Sequence, residues 1–267
     1  MSIWIWQPSR QQVEKSFLTC ALLPWPHGFF TSQFYPQSPT ELAKVIAPEA
    51  RVYRVKQVHS ADVLLTSEVE AAIAAGLPLL PDGSLAAFPL ADGIVTDKLN
   101  QAVWACSADC TPALIGDVET GQVAAVHAGW RGTAKKILPN AIARLQAQGS
   151  QLKNLRIALG PAIDGSVYQV GHNVAIEVGK SVVPHLDGKE LIEHLMAIDN
   201  PPILSDKTEG RVRLDVRRIN QMQLSEMGIK LEWIAIAPHC TYQEPDRFFS
   251  YRRTKEKKVQ WAGIVSV

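Results

Sequence analysis

Short apolar runs alternate with helical patterns along this chain. Runs bounded by glycine, proline or polar clusters read as buried strands, and apolar residues three and four apart read as helices. Residues 3–6 and 17–22 are the first two strand candidates. Pro24, Pro26, Gly28, Pro36 and Pro39 mark a loop-rich opening, and residues 40–46 carry a short helical pattern. Residues 52–58 predict a strand that ends at His59, with another at 63–66. Ser67 can cap a helix through Ala75, which Gly76 would end. Residues 77–92, with three prolines and Gly83, read as a mobile loop.

The second half keeps the same rhythm. Residues 102–106, 113–115 and 123–126 are strand candidates, the last a short apolar run of the kind a central strand carries. Residues 133–148 are helical in pattern, with Pro139 expected to kink that helix or delay its start. A strand at 155–159 ends at Gly160-Pro161, and helices follow at 174–183 and 189–196. Asp215 can cap a helix running to Met227 and closed by Gly228. Residues 231–237 predict a strand and 263–267 an edge strand. There is no internal repeat and no low-complexity segment. The simplest architecture is one α/β domain with mixed sheets flanked by helices, over residues 1–267.

The stretch Ala125-Val126-His127-Ala128-Gly129-Trp130-Arg131-Gly132-Thr133 concentrates the candidate chemistry. It reads as a strand end, a glycine-rich turn and a helix start. Gly129 and Gly132 permit a tight turn and close backbone approach to a ligand. Thr133 can cap the following helix, whose N-terminus would attract anions. His127 can bind a metal or move a proton, and Arg131 can fork onto a phosphate or carboxylate. A core histidine and a surface arginine beside an ordinary turn describe this nonapeptide equally well. Two further segments hold candidate ligands at strand ends, Lys56-Gln57-Val58-His59 and Ser107-Ala108-Asp109-Cys110-Thr111-Pro112. One thiolate and two imidazoles make a zinc set with the fourth position left for water. Cys106 and Cys110 form no C-x-x-C pair, and Cys106 and Cys240 read best as small buried apolar residues. His172, His185 and His194 lie in or beside helices and are expected on the solvated surface.

Composition narrows the setting. The 267 residues are 46% hydrophobic and 20% charged, with a net charge of +1. That charge argues against a general nucleic-acid or membrane-surface binder. Four cysteines, Cys20, Cys106, Cys110 and Cys240, are too few and scattered for a disulfide framework and suit a reducing compartment. No basic start followed by a long apolar core is present, and no apolar run approaches the roughly 20 residues of a membrane span. A soluble cytoplasmic protein is expected, a monomer or homodimer.

Several short motifs occur in order. They are Gln57-Val58-His59, Ala91-Asp92-Gly93-Ile94-Val95-Thr96-Asp97, Ala108-Asp109-Cys110-Thr111-Pro112 and His127-Ala128-Gly129-Trp130-Arg131-Gly132. Gly160-Pro161-Ala162-Ile163, Asp215-Val216-Arg217-Arg218, Cys240-Thr241 and Phe249-Ser250-Tyr251-Arg252-Arg253 complete the set. Together, from about His27 to the C-terminus, they resemble the laccase-domain family, also described as polyphenol oxidases and purine nucleoside phosphorylases. The resemblance implies a zinc site on His59, Cys110 and His127. It implies phosphorolysis of adenosine, inosine, guanosine and methylthioadenosine, deamination of adenosine, and an α+β domain related to cysteine-dependent toxin deamidases. The chain departs from the family at Phe30-Thr31-Ser32-Gln33, where an arginine and paired glycines are missing, across residues 34–50, and at Lys257-Lys258-Val259. These departures bear on substrate contacts and leave the three ligands untouched.

Zinc at such a site would give hydroxide at neutral pH for attack on the purine C6. Phosphorolysis needs a held phosphate, for which Arg131 and the helix start at Thr133 are the candidates, with Lys135 and Lys136 more simply solvated. Asp109 can act as acid or base, or orient a ligand imidazole. Gln57 can hydrogen-bond a nucleoside or merely sit exposed. Tyr251 and Arg252, with Arg253, can close over the site or form a structural cation–aromatic cluster. Two other classes stay open. A copper polyphenol oxidase would use two His and one Cys, although seven histidines with no His-x-His pair leave little for a multicopper cluster. A cysteine hydrolase would use Cys110 as nucleophile and His127 or His59 as base, acting on cell-wall precursors.

Overall fold

The computed structural model describes residues 3–9, 12–80 and 84–267. Its strands form two six-stranded sheets and one of three strands. The first sheet runs in the order β1 (Trp4–Pro8), β2 (Ser16–Cys20), β3 (His27–Phe30), β15 (Gln260–Val265), β7 (Gln101–Ser107) and β4 (Arg51–Tyr53). The second runs β14 (Ile234–Ile236), β10 (Leu155–Leu159), β8 (Thr111–Asp117), β9 (Val123–Ala128), β6 (Gly93–Val95) and β5 (Val63–Leu65). Both are mixed: the β4–β7, β10–β14 and β5–β6 pairs are parallel and the rest antiparallel. The third sheet, β11 (Gln169–Gly171), β13 (Arg211–Leu214) and β12 (Ile203–Ser205), is antiparallel. The helices are α1 (Pro39–Ile46), α2 (Thr66–Ala75), α3 (Trp130–Ala134), α4 (Ile137–Ala147), α5 (His172–Gly179), α6 (Gly188–Ala197), α7 (Val216–Glu226) and α8 (Tyr251–Thr254).

The two large sheets stack face to face, and the two-residue period of each strand divides the core. Val103 and Ala105 of β7 face the second sheet, where Leu114, Val123, Ala125 and Ala158 meet them. Ala102 and Trp104 point the other way, into a cluster with Phe30 of β3, Phe34, and Leu42 of α1. On the far side of the second sheet, Ala113, Ile115, Ala124 and Val126 pack against Ile137, Ala141 and Leu145 of α4. The third sheet closes a separate core with Val178, Leu191 and Leu195 of α5 and α6. Among the described residues no helix is long and apolar enough to cross a membrane.

Several boundaries differ from the sequence pattern for identifiable reasons. The segment expected as one helix from Thr133 divides into α3 and α4, with Lys136 left-handed at φ 60° between them. Pro139 falls in the first turn of α4, where its missing N–H costs nothing, so it delays the start rather than bending a continuous helix. Thr133 caps nothing: Gly129 is the N-cap of α3. Ser67 also lies inside its helix, which begins at Thr66 with the Glu68 carboxylate accepting the Leu65 N–H at 2.8 Å. The strand expected over 52–58 stops at Tyr53, because the chain turns to pair Lys56 with Leu90. Residues 231–233 form a 3₁₀ turn ahead of β14. The last strand is not an edge: β15 sits between β3 and β7. The described residues of 77–92 hold only isolated bridges, and Pro81, Asp82 and Gly83 lie outside the described residues. Asp215 caps α7 as expected, its side chain accepting the Arg218 N–H at 3.0 Å.

Gly263 of β15 makes room for the largest core side chain. A Cβ there would lie 2.5 Å from the Trp104 indole, which is 1% exposed. Gly263→Ala is therefore expected to destabilise the protein by about 1–3 kcal/mol through overpacking. Urea unfolding should show a lower midpoint at unchanged slope, and an unchanged midpoint would show that Trp104 repacks freely.

Candidate metal centre

Two of the three candidate ligands lie where the chain crosses from one large sheet to the other. Cys110 sits in the tight turn between β7 and β8, and His59 in the longer crossing from β4 to β5. His127 is the fifth residue of β9, opposite Pro112, and turns its ring toward the same end of the sandwich. The ligand atoms of His59, Cys110 and His127 all lie within 4.8 Å of one another, and the two imidazole centroids are 4.9 Å apart. One metal–thiolate and one metal–imidazole bond together span about 4.4 Å, so the cluster is close to the size of a coordination sphere.

Asp92 holds this arrangement. Its Oδ1 takes His127 Nδ1 at 2.8 Å and the His59 N–H at 3.0 Å, while Oδ2 accepts the N–H groups of Ser60 at 2.7 Å and Val58 at 3.0 Å. The Asp92 carbonyl accepts the His127 N–H at 2.8 Å. The His127 tautomer is thereby directed, with Nδ1 turned to the carboxylate and Nε2 left for the centre. Burial alone would raise the Asp92 carboxyl, but His127 and the N–H groups of Ser60 and Val58 outweigh it and keep it below the ordinary value.

The electrostatics favour a deprotonated thiol. Burial pushes the Cys110 thiol up, but His127 and His59 overcome it and bring it down to about 6. Burial likewise lowers His127, yet the Cys110 thiolate and Asp92 lift the ring to about 10. A cation replacing those protons would find a thiolate and two imidazoles, a donor set suited to a borderline-soft divalent metal. Gly129 keeps the space open: a Cβ there would lie 2.9 Å from Cys110 Sγ and 3.3 Å from the His59 ring. His59 is exposed and His127 buried, so the cluster opens to solvent on one side. The residues fit a metal with an accessible coordination position.

The other expected site residues fall into two groups. Asp109 shares a cleft with Cys110, Gly129, Trp130, Ile163 and Tyr168. Its carboxylate accepts Thr241 Oγ1 at 2.7 Å and the Arg252 N–H at 2.6 Å, so Asp92 and not Asp109 orients an imidazole. Arg131 is exposed beside this cleft, its guanidinium 4.2 Å from the Trp130 ring. Arg252 stacks 4.8 Å from the Tyr168 ring and donates to the Gln169 carbonyl at 2.8 Å. Tyr251 is 49% exposed and meets Lys255 at 5.5 Å.

Gln57 and Thr133 both have hydrogen-bond partners within the fold. The Gln57 amide pairs with both backbone groups of Cys106 at 2.8 Å, continuing the β4–β7 ladder with a side chain. Thr133 is buried against Asn220, whose Nδ2 donates to Thr133 Oγ1 at 3.1 Å. Cys106 stays outside the cluster, its thiol pushed up to about 11 by burial. Cys240 is buried, and His172, His185 and His194 are exposed, all as expected. Asp92 and Thr241 had stood inside the ordered motifs without a role. Tyr168 carried no sequence signal, because a tyrosine near a strand reads as ordinary core.

An α+β fold with a Cys/His/His cluster at one end of a two-sheet sandwich defines the class. The sequence model described as multi-copper polyphenol oxidoreductase laccase matches residues 38–267, and the chain belongs to that family. It is 52% identical to a purine nucleoside phosphorylase of Synechocystis sp., over 99% of this chain and 97% of the relative. It is 30% identical to an adenosine deaminase from an unknown prokaryotic organism, over 64% of this chain and 60% of that one. The crystal structure of YlmD from Geobacillus stearothermophilus shares the fold, with a TM-score of 0.72, 24% identity and coverage of 97% of this chain and 99% of that one. A hypothetical protein YfiH of Bacillus licheniformis superposes with a TM-score of 0.70, 22% identity and coverage of 90% and 92%.

Asp92→Asn would keep the shape but lose the charge that fixes His127 and gathers the N–H groups of residues 58–60. Affinity for zinc, measured by competition with a chromogenic chelator, is expected to fall about 10- to 100-fold. Unchanged affinity would mean that the β9 backbone alone orients His127.

Proposed function

We propose that this protein is a zinc-dependent purine nucleoside enzyme. It cleaves adenosine, inosine, guanosine and S-methyl-5′-thioadenosine with phosphate, releasing the base and the (methylthio)ribose 1-phosphate, and it deaminates adenosine to inosine. The open cluster of His59, Cys110 and His127 is the observation that carries this reading. The names of the Synechocystis and prokaryotic relatives support the substrate class. Zinc held by these three donors would lower the pKa of bound water to about 7 and polarise groups beside it. In this reading residues 1–267 work as one domain in the cytoplasm, as a monomer or homodimer, without nucleic-acid or membrane partners.

The chain's own residues divide the remaining work. Arg131 pairs with no carboxylate among the described residues, and its charge acts on Tyr168, which lines the Cys110 cleft. In this reading it holds phosphate against the ribose, as a guanidinium fork suits. Asp109 faces the same cleft with its carboxylate fixed by Thr241 and the Arg252 N–H, and it moves the proton to or from the purine. Trp130 and Ile163 give the cleft its apolar walls. Arg252 stacks on Tyr168 and so supports the wall of the cleft from α8.

A second reading has a specific observation behind it. Cys110, His127 and Asp92 form a thiol–imidazole–carboxylate series, with the thiol at about 6, as a metal-free cysteine hydrolase would need. Alkylation and metal content separate the two. With zinc removed, the Cys110 thiol titrates below its ordinary value, so thiolate accumulates above about pH 6 and iodoacetamide labelling should rise through that pH. Zinc should suppress the labelling. Cys110→Ala should lose zinc and nucleoside turnover together, as should His59→Ala and His127→Ala. A Cys110→Ala protein with full zinc and no activity would establish the nucleophile instead.

Product analysis decides the activity. Adenosine with phosphate should give adenine and ribose 1-phosphate, and adenosine without phosphate should give inosine. Arg131→Ala should raise the KM for phosphate about tenfold or more, the loss expected for a charged hydrogen-bond partner, and leave deamination less affected. Equal loss of both activities with zinc retained would remove Arg131 from the phosphate site.

A further inference from the structure

Arg54 leaves the sheet immediately after β4, an edge strand, and its guanidinium is clamped between two aromatic rings. The carbon at its centre lies 4.3 Å from the Phe88 ring centroid and 4.7 Å from that of Trp261. Its Nε is buried with no hydrogen-bond partner, and among the described residues no carboxylate pairs with Arg54. The two ring contacts offset part of the cost of desolvating the cation, but they leave the buried Nε–H unanswered. An arginine stays charged in proteins, so the buried Nε–H calls for an acceptor.

The group lines a cavity of about 320 Å³ between α2 and the edge of the first sheet. That volume falls within the ordinary range for small-molecule sites. Arg51 and Glu70 also line it, but they neutralise each other at 2.8 Å, leaving Arg54 as the unbalanced charge. Val52, Val69, Ile73 and Phe88 supply apolar wall. None of the residues lining this cavity lines the cleft beside Cys110.

We infer that this cavity binds a small organic carboxylate with an apolar body, its carboxylate on Arg54 and its body against Ile73 and Phe88. One unbalanced guanidinium matches the single charge and planar fork of a carboxylate. A phosphate dianion would leave its second charge unmet, and the apolar wall would contribute nothing to it. The site is separate from the metal centre and does not depend on the reaction catalysed there.

Isothermal titration of the full-length protein with phenylacetate tests this, with 2-phenylethanol and inorganic phosphate in parallel. Phenylacetate should bind saturably at one site per chain, and neither of the others should compete for it. Arg54→Gln should weaken binding more than about tenfold. Ile73 is 51% exposed, so Ile73→Glu should fold normally, place a carboxylate inside the cavity and abolish the binding. Absence of saturable binding to folded wild-type protein would overturn the inference. So would phosphate competing with phenylacetate, or Ile73→Glu binding as tightly as wild type.

Discussion

A single buried carboxylate organises the working end of this protein. Asp92, 1% exposed, gathers the N–H groups of Val58, His59 and Ser60 and the ring of His127. Those donors come from the β4–β5 crossing and from strand β9, which are far apart in sequence. The carboxylate is worth its desolvation only because every lone pair is answered, and partial loss of that set would leave a buried charge unpaired. The same contacts tie the backbone of residues 58–60 to the residue just before β6 and direct which nitrogen of His127 faces Cys110. Ligand geometry and local folding are therefore one constraint.

The crossings also concentrate strain. His59 has φ 60° and Asp109 φ 92°, left-handed values that cost non-glycine residues about 1–3 kcal/mol each. Both are held from several directions. The His59 N–H is taken by Asp92, and Asp109 is fixed by Thr241, by the Arg252 N–H, and by the Ile163 N–H donating to its carbonyl at 2.9 Å. The strained turn aims Cys110 between the two imidazoles, and Gly129 leaves the space that the thiolate needs. Backbone strain here buys position, in the sense that a relaxed turn at Asp109 would point Cys110 elsewhere.

The Asp109 contacts reach the last part of the chain. Through the Arg252 N–H the carboxylate tethers α8, and through Thr241 it tethers the segment that follows β14. Arg253 ties the same region together by donating to the carbonyls of Thr241, Tyr242 and Phe248. The cleft beside Cys110 is walled by segments far apart in sequence, among them Asp109, Trp130, Ile163, Tyr168 and Val216, and Asp109 ties that wall to the C-terminal segments.

What the sequence determined by itself was local. Apolar runs located the central strands, Asp215 and Gly228 bounded α7, Pro139 delayed α4, and the ordered motifs singled out His59, Cys110 and His127. These signals are legible because they rest on side-chain period, cap chemistry and ligand type, which act within a few residues. The tertiary structure decided everything that depends on who meets whom. It gave the imidazole to Asp92 instead of Asp109, because Thr241 and Arg252 reach Asp109 first. It turned Gln57 into a rung of the first sheet and buried Thr133 beside Asn220. It placed β15 between β3 and β7, since whether an apolar strand ends a sheet or fills its middle depends on partners the strand itself does not encode.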